Sequence, residues 1–543
     1  MKNKRRAWSV IGICLSLVLS VCFLIGCQGG SQNPSDTTEE AEDTFLQETD
    51  TEAPTAGADQ TTPDPEQTEE PETEEPETEG TPSGDQERSE ASRRMDMIVW
   101  YDVDHGKSTN SRPDNGWYYL YADTPGLVTG SGHFRAANSL LGTYDQADPA
   151  VARQHLYWLA ASGINAVLCD LTNYDTIQND DPGSDMRRFH AGLLNNTKVV
   201  FETAKAMKAE GMENVPTVCV AVRMNGNNTE NLQKVLDEIY DLCKDYPDEV
   251  YHLNGGDKPF ICIFVDHTVL QNMQKNNAVF DDERFDIRWS NGSFGNYFAT
   301  EKNGNNIVVG YEKKVFLFWD PVKNPRREGF YRSFYTIGKD GEPEMMTGWV
   351  SFFGGWSSDD TNWDTLNHTY EGLNCFERTT ANVDEVMPSA LLVCRFNYAL
   401  CWKEQPQEGL GLYHSGHFEP CEELGFSVFH DVTRRLYVLN KWVGKAPAAP
   451  TVVDATNNHL FLDTATYPLE YLLSSNESFE GAEWQYININ EGIDYTDYVT
   501  GGEVWIKTRN TFGESDAVKL TLENTSDASR VEASILVDED FLD

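Results

Sequence analysis

The sequence predicts an α/β protein, a (β/α)8 TIM-like barrel that is followed by a small all-β sandwich. Eight apolar, β-rich runs are spread over residues 96–445, and helical patterns separate several of them. From residue 446 onward the runs become short, and turn residues separate them without a helical period. A doubly wound open sheet is the alternative to the barrel, but no glycine-rich phosphate loop follows the first run.

The chain starts with a segment, residues 1–27, that resembles a bacterial lipoprotein signal peptide. Basic residues precede an apolar run that ends in Leu24-Ile25-Gly26-Cys27. The resemblance to a lipobox implies that Cys27 becomes the lipidated N-terminus, at the extracellular face of a bacterial membrane. An ordinary signal peptide or a membrane anchor is the alternative. No later stretch of the sequence is long and apolar enough to span a bilayer.

Residues 28–95 predict a disordered acidic spacer. They consist mainly of Thr, Glu, Asp, Pro, Ser and Gly, and such a composition buries too little apolar surface to offset the chain entropy lost on folding. The whole chain carries a formal net charge of −46, so nucleic acid and anionic membrane surfaces are poor partners, and neutral or basic ligands fit better. The sequence contains no CxxC or Cys/His metal spacing, so neither a disulfide framework nor a zinc site is indicated. We expect no metal and no cofactor.

Eight runs are the predicted barrel strands. They are 97–101, 166–169, 217–222, 260–265, 285–289, 315–319, 347–352 and 390–396. Helical patterns occur at 189–210 and 229–245, but 267–315 and 320–346 show no convincing long helix, which predicts an irregular barrel. Four cysteines within the runs are expected to be buried as small apolar side chains, namely Cys169, Cys219, Cys262 and Cys394.

The clearest helix signal precedes the second run. Asp148 suits an N-cap, Pro149 suits the first turn and Gly163 suits the C-terminal stop, with apolar residues at helical spacing between them. The run that follows brings Asp170 to the end of its strand, and Asn173 lies just beyond. Catalytic side chains of barrel enzymes lie at the C-terminal ends of the strands.

Polar residues follow or close all eight runs. They are Asp102, Asp170, Arg223, Asp266, Arg288, Asp320, Ser351 and Asn397. Together they would form an acid-lined pocket at the barrel mouth, and Trp319 and Trp356 are candidate loop aromatics beside it. Aromatic faces stack on sugar rings while carboxylates and amides bind hydroxyls, so this combination favours a carbohydrate ligand.

Residues 140–175 resemble the start of bacterial glycoside hydrolases of the family 71/99-like group. The matching residues are Leu141, Gly142, Tyr144, Asp148, Val151, Gln154, His155, Trp158, Gly163, Asp170, Thr172 and Asn173. The segments FDIRWS at 285–290 and FLFWDP at 316–321 also look like barrel segments of that group. The resemblance implies a barrel that hydrolyses O-glycosyl bonds.

The resemblance extends to residues 390–425, where the group has NEW or NEWxEG followed by an IEP element. Asn397 matches the first element, Tyr398 stands at the place of its first glutamate, and Phe418-Glu419-Pro420 matches the second. The group's catalytic carboxylates lie in the first element, so this resemblance fails at one catalytic position.

Three readings of the site remain open. Glu404 or Glu408 has taken over the missing role, or Asp170 and Glu419 carry the chemistry, or catalysis is lost and only glycan binding remains. A glycosidase needs two carboxyl groups, one protonated and one ionised. We expect Asp170, Glu419 and one of Glu404 or Glu408 to meet in one pocket. The expected substrate-binding residues are Asn397, Trp319, Asp320, Trp356, Asp266 and Asn173.

Residues 446–543 begin with the short linker APAAP and resemble an immunoglobulin-like or fibronectin type III-like sandwich, which we expect to act as a spacer or to dock on the barrel. The first functional hypothesis is an endo-acting glycosidase for an α-linked polysaccharide such as a mannan or glucan. The second is a non-catalytic glycan-binding lipoprotein, and the third is an adhesive or structural surface protein. We expect a monomer.

Overall fold

The computed structural model describes residues 86–522 with gaps, the longest of which are 110–132, 291–300, 315–333, 351–368 and 403–417. The described residues belong to one compact unit, Asp85–Asp543. Among them, no helix is long and apolar enough to cross a membrane. Cys27, the predicted signal peptide and most of the predicted spacer lie outside the described residues.

The predicted helices are present. Within the described residues the α-helices are α1 (Pro149–Ser162), α2 (Asp185–Ala209), α3 (Thr229–Asp245), α4 (Cys375–Val386) and α5 (Ser427–Asn440). Helix α1 has the predicted ends, because the Asp148 side chain accepts the Ala150 N–H and Gly163 closes the helix at a φ of 91°. Almost every side of α1 is buried, not one apolar face alone.

The described residues before residue 446 form sixteen strands, and ten of these strands belong to one large sheet. The strands of this part of the chain are β1 (Gln86–Glu87), β2 (Asp96–Asp102), β3 (His133–Arg135), β4 (Ala166–Leu171), β5 (Thr217–Arg223), β6 (Phe260–Phe264), β7 (Asp286–Ser290), β8 (Glu301–Asn303), β9 (Asn306–Val309), β10 (Phe334–Ile337), β11 (Pro343–Trp349), β12 (Thr369–Tyr370), β13 (Leu373–Asn374), β14 (Ala390–Cys394), β15 (Leu400–Trp402) and β16 (Trp442–Val443). The sheet order is β7-β6-β5-β4-β2-β14-β11-β10-β9-β8.

The strands from β7 to β11 in this order run parallel to their neighbours. The first predicted barrel strand (β2) and the last (β14) are adjacent, as the strand order of a (β/α)8 barrel requires. The fold class is therefore confirmed as α/β with a parallel, TIM-like strand order. The predicted strand at 315–319 lies outside the described residues.

The parallel run curls until its two ends meet. Arg288 on β7 donates from Nε and Nη2 to the two carboxylate oxygens of Glu344 on β11, at 2.9 and 2.7 Å. Both side chains are buried, with 4% of each exposed. Arg288 also bonds Asp286, the first residue of its strand. The prediction that Arg288 faces the barrel mouth is therefore wrong, since its partners lie at the N-terminal ends of β7 and β11.

The sheet departs from a regular barrel beside β11. Strand β10 pairs with β11 in antiparallel fashion, β9 is parallel to β10, and β8 is antiparallel to β9. The connection from β10 to β11 covers only residues 338–342. A link of this length forms a hairpin, because parallel neighbours need a crossover of a dozen or more residues. The predicted irregularity of the barrel thus takes the form of an antiparallel extension.

The part of the chain after residue 446 is all-β. Its strands are β17 (Val452–Thr456), β18 (His459–Leu462), β19 (Glu470–Ser474), β20 (Gln485–Tyr486), β21 (Ile493–Asp494), β22 (Glu503–Asn510), β23 (Gly513–Glu514) and β24 (Val518–Thr521). One antiparallel sheet has the order β17-β18-β21, and the other has the order β20-β19-β22-β23 with β24 on β22. Residues of both sheets, including Leu460, Leu473 and Ile506, share one apolar core.

Helix α1 lies between this all-β part and the barrel. The Gln154 side chain donates to the Ile487 carbonyl at 3.2 Å and accepts the Ile489 N–H at 2.9 Å. The Tyr157 hydroxyl donates to the Pro468 carbonyl at 2.6 Å. These contacts explain why α1 is buried nearly all round, since the barrel covers one side and the all-β part covers the other.

The four cysteines expected in strand interiors are buried. Cys169, Cys219, Cys262 and Cys394 have at most 2% of their surface exposed. Burial raises the pKa of the Cys169, Cys219 and Cys262 thiols well above the usual range, and it raises the pKa of Cys243 on α3 to about 12. These residues fill the core as apolar side chains.

Candidate functional site

The C-terminal ends of the parallel strands gather polar side chains at one end of the sheet. Asp102 closes β2, Asp170 is the second-last residue of β4, and Arg223 closes β5. The register pairs Asp102 with Asp170 directly. Because parallel strands share one direction, these residues lie at the same end, which we call the mouth.

Asp170 is a half-buried carboxylate at the mouth. Its Oδ2 accepts the indole N–H of Trp100 at 3.1 Å, and its Oδ1 accepts the Thr172 N–H at 2.9 Å and the Thr172 hydroxyl at 2.6 Å. Thr172, in the short turn after β4, therefore binds the carboxylate of Asp170 near the end of the same strand. The carboxylate is fixed in orientation, and the residue as a whole is partly exposed.

Two faces of strand β2 lead to different surroundings. Trp100 points to the face that carries Asp170, and its ring also meets Phe264 edge-on with centroids 5.6 Å apart. Tyr101 points to the opposite face, since side chains alternate along a strand, and it contacts His155 of helix α1. Helices cover the outside of a barrel, so Trp100 marks the inner face and Tyr101 the outer face.

Glu419 lies on the outer face and is almost completely buried. Only 3% of the residue is exposed. Its Oε1 accepts from Ser139 at 2.5 Å and contacts His155 Nε2 at 3.2 Å, and its Oε2 accepts from the Tyr144 hydroxyl at 3.1 Å. Its backbone N–H is donated to the Phe396 carbonyl at 2.9 Å. Ser139, Tyr144 and His155 thus satisfy Glu419 within the interior.

The network continues from His155 to the strand end. The Tyr101 hydroxyl lies 2.9 Å from His155 Nδ1 and donates to Gln146 at 3.1 Å. Gln146 in turn donates to the Asp102 carbonyl at 3.1 Å. Burial, followed by the nearby Cys169 and Glu419 groups, raises the pKa of Tyr101 well above its usual value. Tyr101 therefore stays a neutral hydroxyl.

Asn397 secures the seam between the last strand and the first. Its Oδ1 accepts the Asp102 N–H at 2.9 Å, and its Nδ2 donates to the Asp102 carbonyl at 2.8 Å. The residue is fully buried. Both ends of its amide are occupied by protein backbone, so the predicted substrate-binding role of Asn397 is corrected to a structural one.

The structure does not bring Asp170 and Glu419 together. Their contacts lie on opposite faces of the sheet, and Glu419 has no open surface toward the mouth. The prediction that the two share a pocket is therefore corrected, because the chain returns after β14 to the helix side of the barrel. Asn173 is half-buried beside the mouth. The remaining predicted site residues lie outside the described residues, namely Glu404, Glu408, Trp319, Asp320, Trp356 and Asp266.

Several residues of the sequence pattern at 140–175 have structural tasks. Asp148 caps α1, Gly163 ends it, and Gln154 binds the all-β part. Tyr144 and His155 hold Glu419. The sequence reasoning missed this buried network, although a Tyr, a His and a Glu in otherwise apolar surroundings are a signal for mutual hydrogen bonding. Over the described residues, no group of three or more His, Cys, Asp or Glu could hold a metal ion.

No model of a known protein family matches the chain, and no curated protein matches it. Among solved structures, the GH99 endo-α-mannosidase from Bacteroides thetaiotaomicron is 11% identical, with 64% of this chain and 97% of that chain covered and a TM-score of 0.38. A glycoside hydrolase-like protein is 13% identical over 64% and 94% of the two chains, with a TM-score of 0.31. The endo-β-1,4-mannanase from Thermotoga petrophila is 8% identical over 69% and 95%, with a TM-score of 0.23. Similarities this low carry no argument, and the fold rests on the strand order and register described above.

Proposed function

We propose that the barrel is a glycoside hydrolase whose site lies at the mouth, with Asp170 as the carboxylate that stays ionised. One observation carries the proposal: Asp170 stands at the C-terminal end of a parallel strand, on the inner face, and is partly exposed. Three donated hydrogen bonds suit a carboxylate that acts as base or nucleophile. Trp100 is buried beside it and holds this carboxylate through its indole N–H.

The substrate in this proposal is an α-linked polysaccharide of mannan or glucan type, cleaved within the chain. The acidic surface favours a neutral glycan over an anionic polymer. The family 71/99-like sequence pattern is the reason for the α-linkage. The all-β part, with its proposed immunoglobulin-like or fibronectin-like identity, serves as a docked support for helix α1.

The test is incubation of the full chain with a panel of polysaccharides and analysis of the products by mass spectrometry. Asp170→Asn should lose on the order of 100-fold or more in rate. Asp257→Asn is the matched control, because Asp257 is exposed and precedes β6 at the other end of the barrel. Equal loss in both variants, or none in Asp170→Asn, would remove Asp170 from the mechanism.

A non-catalytic glycan-binding protein is the second candidate. Two observations favour it: Glu419 is tied into the interior, and Tyr398 stands where the resembling group has a glutamate. Binding of a glycan by calorimetry without release of any product would support this candidate over hydrolysis.

We also propose that the chain is anchored through a lipid on Cys27. The sequence Leu24-Ile25-Gly26-Cys27 after a basic and apolar segment supports this. Metabolic labelling with a lipid analogue should mark the wild type and not Cys27→Ala. Equal labelling of both would contradict the anchor.

A further inference from the structure

Strand β22 of the all-β part turns its two sides to different surroundings. Val504 and Ile506 are fully buried and belong to the apolar core between the two sheets. Because side chains alternate along a strand, Trp505, Lys507 and Arg509 point to the opposite side of the sheet. All three of these residues are half-buried. We call this side of the β20-β19-β22 sheet, which faces away from the core, the β22 face.

Three half-buried aromatic residues belong to the β22 face. Trp505 lies on β22 itself, and Phe479 and Trp484 come from the segment before β20. The guanidinium carbon of Arg509 lies 4.2 Å from the centre of the Trp484 ring. Lys507 Nζ lies 5.4 Å from the centre of that ring and 5.5 Å from the centre of the Phe479 ring. The long side chains of β22 therefore hold the two rings in place.

The indole N–H groups of the two tryptophans have no protein partner. Trp442, at the junction with the barrel, donates its indole N–H to Ser92 at 2.9 Å. Among the described residues, by contrast, none accepts the indole N–H of Trp484 or Trp505. Their nitrogens are also not among the buried unpaired atoms, as that of Trp158 is, so they reach solvent. The β22 face thus offers two unused hydrogen-bond donors beside apolar rings.

The three cations of the β22 face each have a carboxylate partner. The pairs are Arg509–Glu470, Lys507–Glu514 and Lys519–Glu503, at 2.7, 2.6 and 3.0 Å. These six side chains together carry no net charge, although the whole chain carries −46. Lys519 and Glu503 keep 43% and 45% of their side chains exposed. Because the ion pairs already order these groups, a ligand that binds them has less side-chain freedom to remove.

We propose that the β22 face is a second glycan-binding site, which takes a neutral polysaccharide and is separate from the mouth. Aromatic rings stack on the apolar side of a sugar ring, while ordered charged groups and indole N–H groups bind its hydroxyls. An anionic polymer such as a nucleic acid needs cations that are not already neutralised. The paired cations of the β22 face therefore favour an uncharged polymer.

The spacing of the two tryptophans favours a chain of sugars over a single sugar. Trp505 pairs with Ser474 of β19, and Gln485, the residue after Trp484, pairs with Tyr471. Strands β20 and β22 flank β19. The two tryptophan Cα atoms are thus about 10 Å apart across the sheet and about 7 Å apart along it. A polymer that lies diagonally over the sheet contacts both rings, whereas a monosaccharide reaches one.

The experiment is electrophoresis of the full chain in native gels that contain an α-mannan, an α-glucan or anionic polygalacturonate, run in the cold to limit hydrolysis. We expect a neutral polymer to retard the wild type. Trp505→Ala and Trp484→Ala should each lower the association constant about tenfold or more. Trp505→Phe keeps an aromatic ring and should retain most of the binding.

The matched control is Phe461→Ala. Phe461 is half-buried on β18, between the core residues Leu460 and Leu462, so it points away from the core on the other sheet. This variant loses an aromatic ring from the all-β part without changing the β22 face, and it should be retarded like the wild type. Thermal unfolding checks that each variant is folded. Should Trp505→Ala fold poorly, Trp505→Leu removes the aromatic ring and keeps apolar bulk.

A second measurement separates the β22 face from the mouth. Trp505→Ala should hydrolyse a small soluble glycoside at a rate within about twofold of the wild type, because Trp505 lies in the all-β part. A loss of this activity in a folded Trp505→Ala variant would contradict a separate site.

The outcomes distinguish this proposal from the glycosidase function. If no neutral polymer retards the wild type, or if Trp505→Ala and Trp484→Ala migrate like the wild type, the site on the β22 face is overturned. Retardation by polygalacturonate alone overturns the neutral ligand. If the wild type releases no product from any glycan and its retardation depends on the two tryptophans, the glycosidase function is overturned and the site on the β22 face stands.

Discussion

The two faces of strand β2 each lead to a carboxylate with a different task. On the inner face, Trp100 donates to Asp170, which is half-buried at the mouth. On the outer face, Tyr101 leads through His155 to Glu419, which is 3% exposed. Both carboxylates accept hydrogen bonds from several protein groups. Hydrogen bonding therefore does not distinguish the carboxylate that we propose to be reactive from the structural one, whereas the degree of burial does.

The largest expected effect comes from removal of the buried carboxylate. Glu419→Ala leaves Ser139, Tyr144 and His155 without their acceptor in the interior. We expect the free energy of unfolding to fall by about 3–5 kcal/mol, measured by urea denaturation. Asp170→Asn should change it by less than about 1 kcal/mol. If Glu419→Gln folds with wild-type stability and loses turnover, Glu419 is a reactive carboxylate, and its assignment as a structural one is wrong.

A smaller effect is expected at the residue next to His155. Gln154 faces the all-β part, and its loss leaves the Ile487 carbonyl and the Ile489 N–H unsatisfied. We expect Gln154→Ala to lower the free energy of unfolding by about 1–3 kcal/mol. Gln233→Ala on α3 is a control for loss of a glutamine from a helix, since the Gln233 side chain donates to the Asp237 and Asp282 side chains and, within the described residues, to no backbone group. Equal stability of Gln154→Ala and the wild type would show that the contact adds nothing.

The smallest effect concerns Glu470, a buried carboxylate that contacts His430 and Arg509. Burial alone would raise its pKa, but the nearby His430 imidazole, 3.7 Å away, and two hydrogen bonds from Arg509 outweigh burial and hold the pKa below the ordinary value of 4.5. The stability from these bonds is complete above about pH 4.5 and is lost as the pH falls through the lower folded value. We expect Glu470→Gln to flatten this loss in acid denaturation. If Glu470→Gln lost stability with falling pH as steeply as the wild type does, this expectation would be contradicted.

Most of the strand order could be predicted, because apolar runs separated by helical patterns permit few arrangements. The ends of α1 could also be predicted, since Asp148 and Gly163 each have one favoured task at a helix end. The dipeptide Asp340-Gly341 between β10 and β11 is typical of a β-hairpin turn. The prediction of eight parallel strands did not take this turn into account.

The site was harder to predict for a physical reason. Asp170 could be assigned to the mouth because it ends a predicted strand, and the C-terminal ends of parallel barrel strands lie at one end of the barrel. Between β14 and Glu419, the sequence has no apolar period that would tell which side of the sheet the chain takes. Its partners are far apart in sequence, and only the fold brings His155 and Tyr144 to it.

Three buried cysteines can report when the strands of the barrel become accessible to solvent. Cys169, Cys219 and Cys262 lie on three neighbouring strands, and their raised pKa keeps them as thiols rather than reactive thiolates. An alkylating reagent can modify them only when the strand separates from its cover. Mass spectrometry of the modified peptides would therefore time the exposure of each strand, without any probe added to the chain.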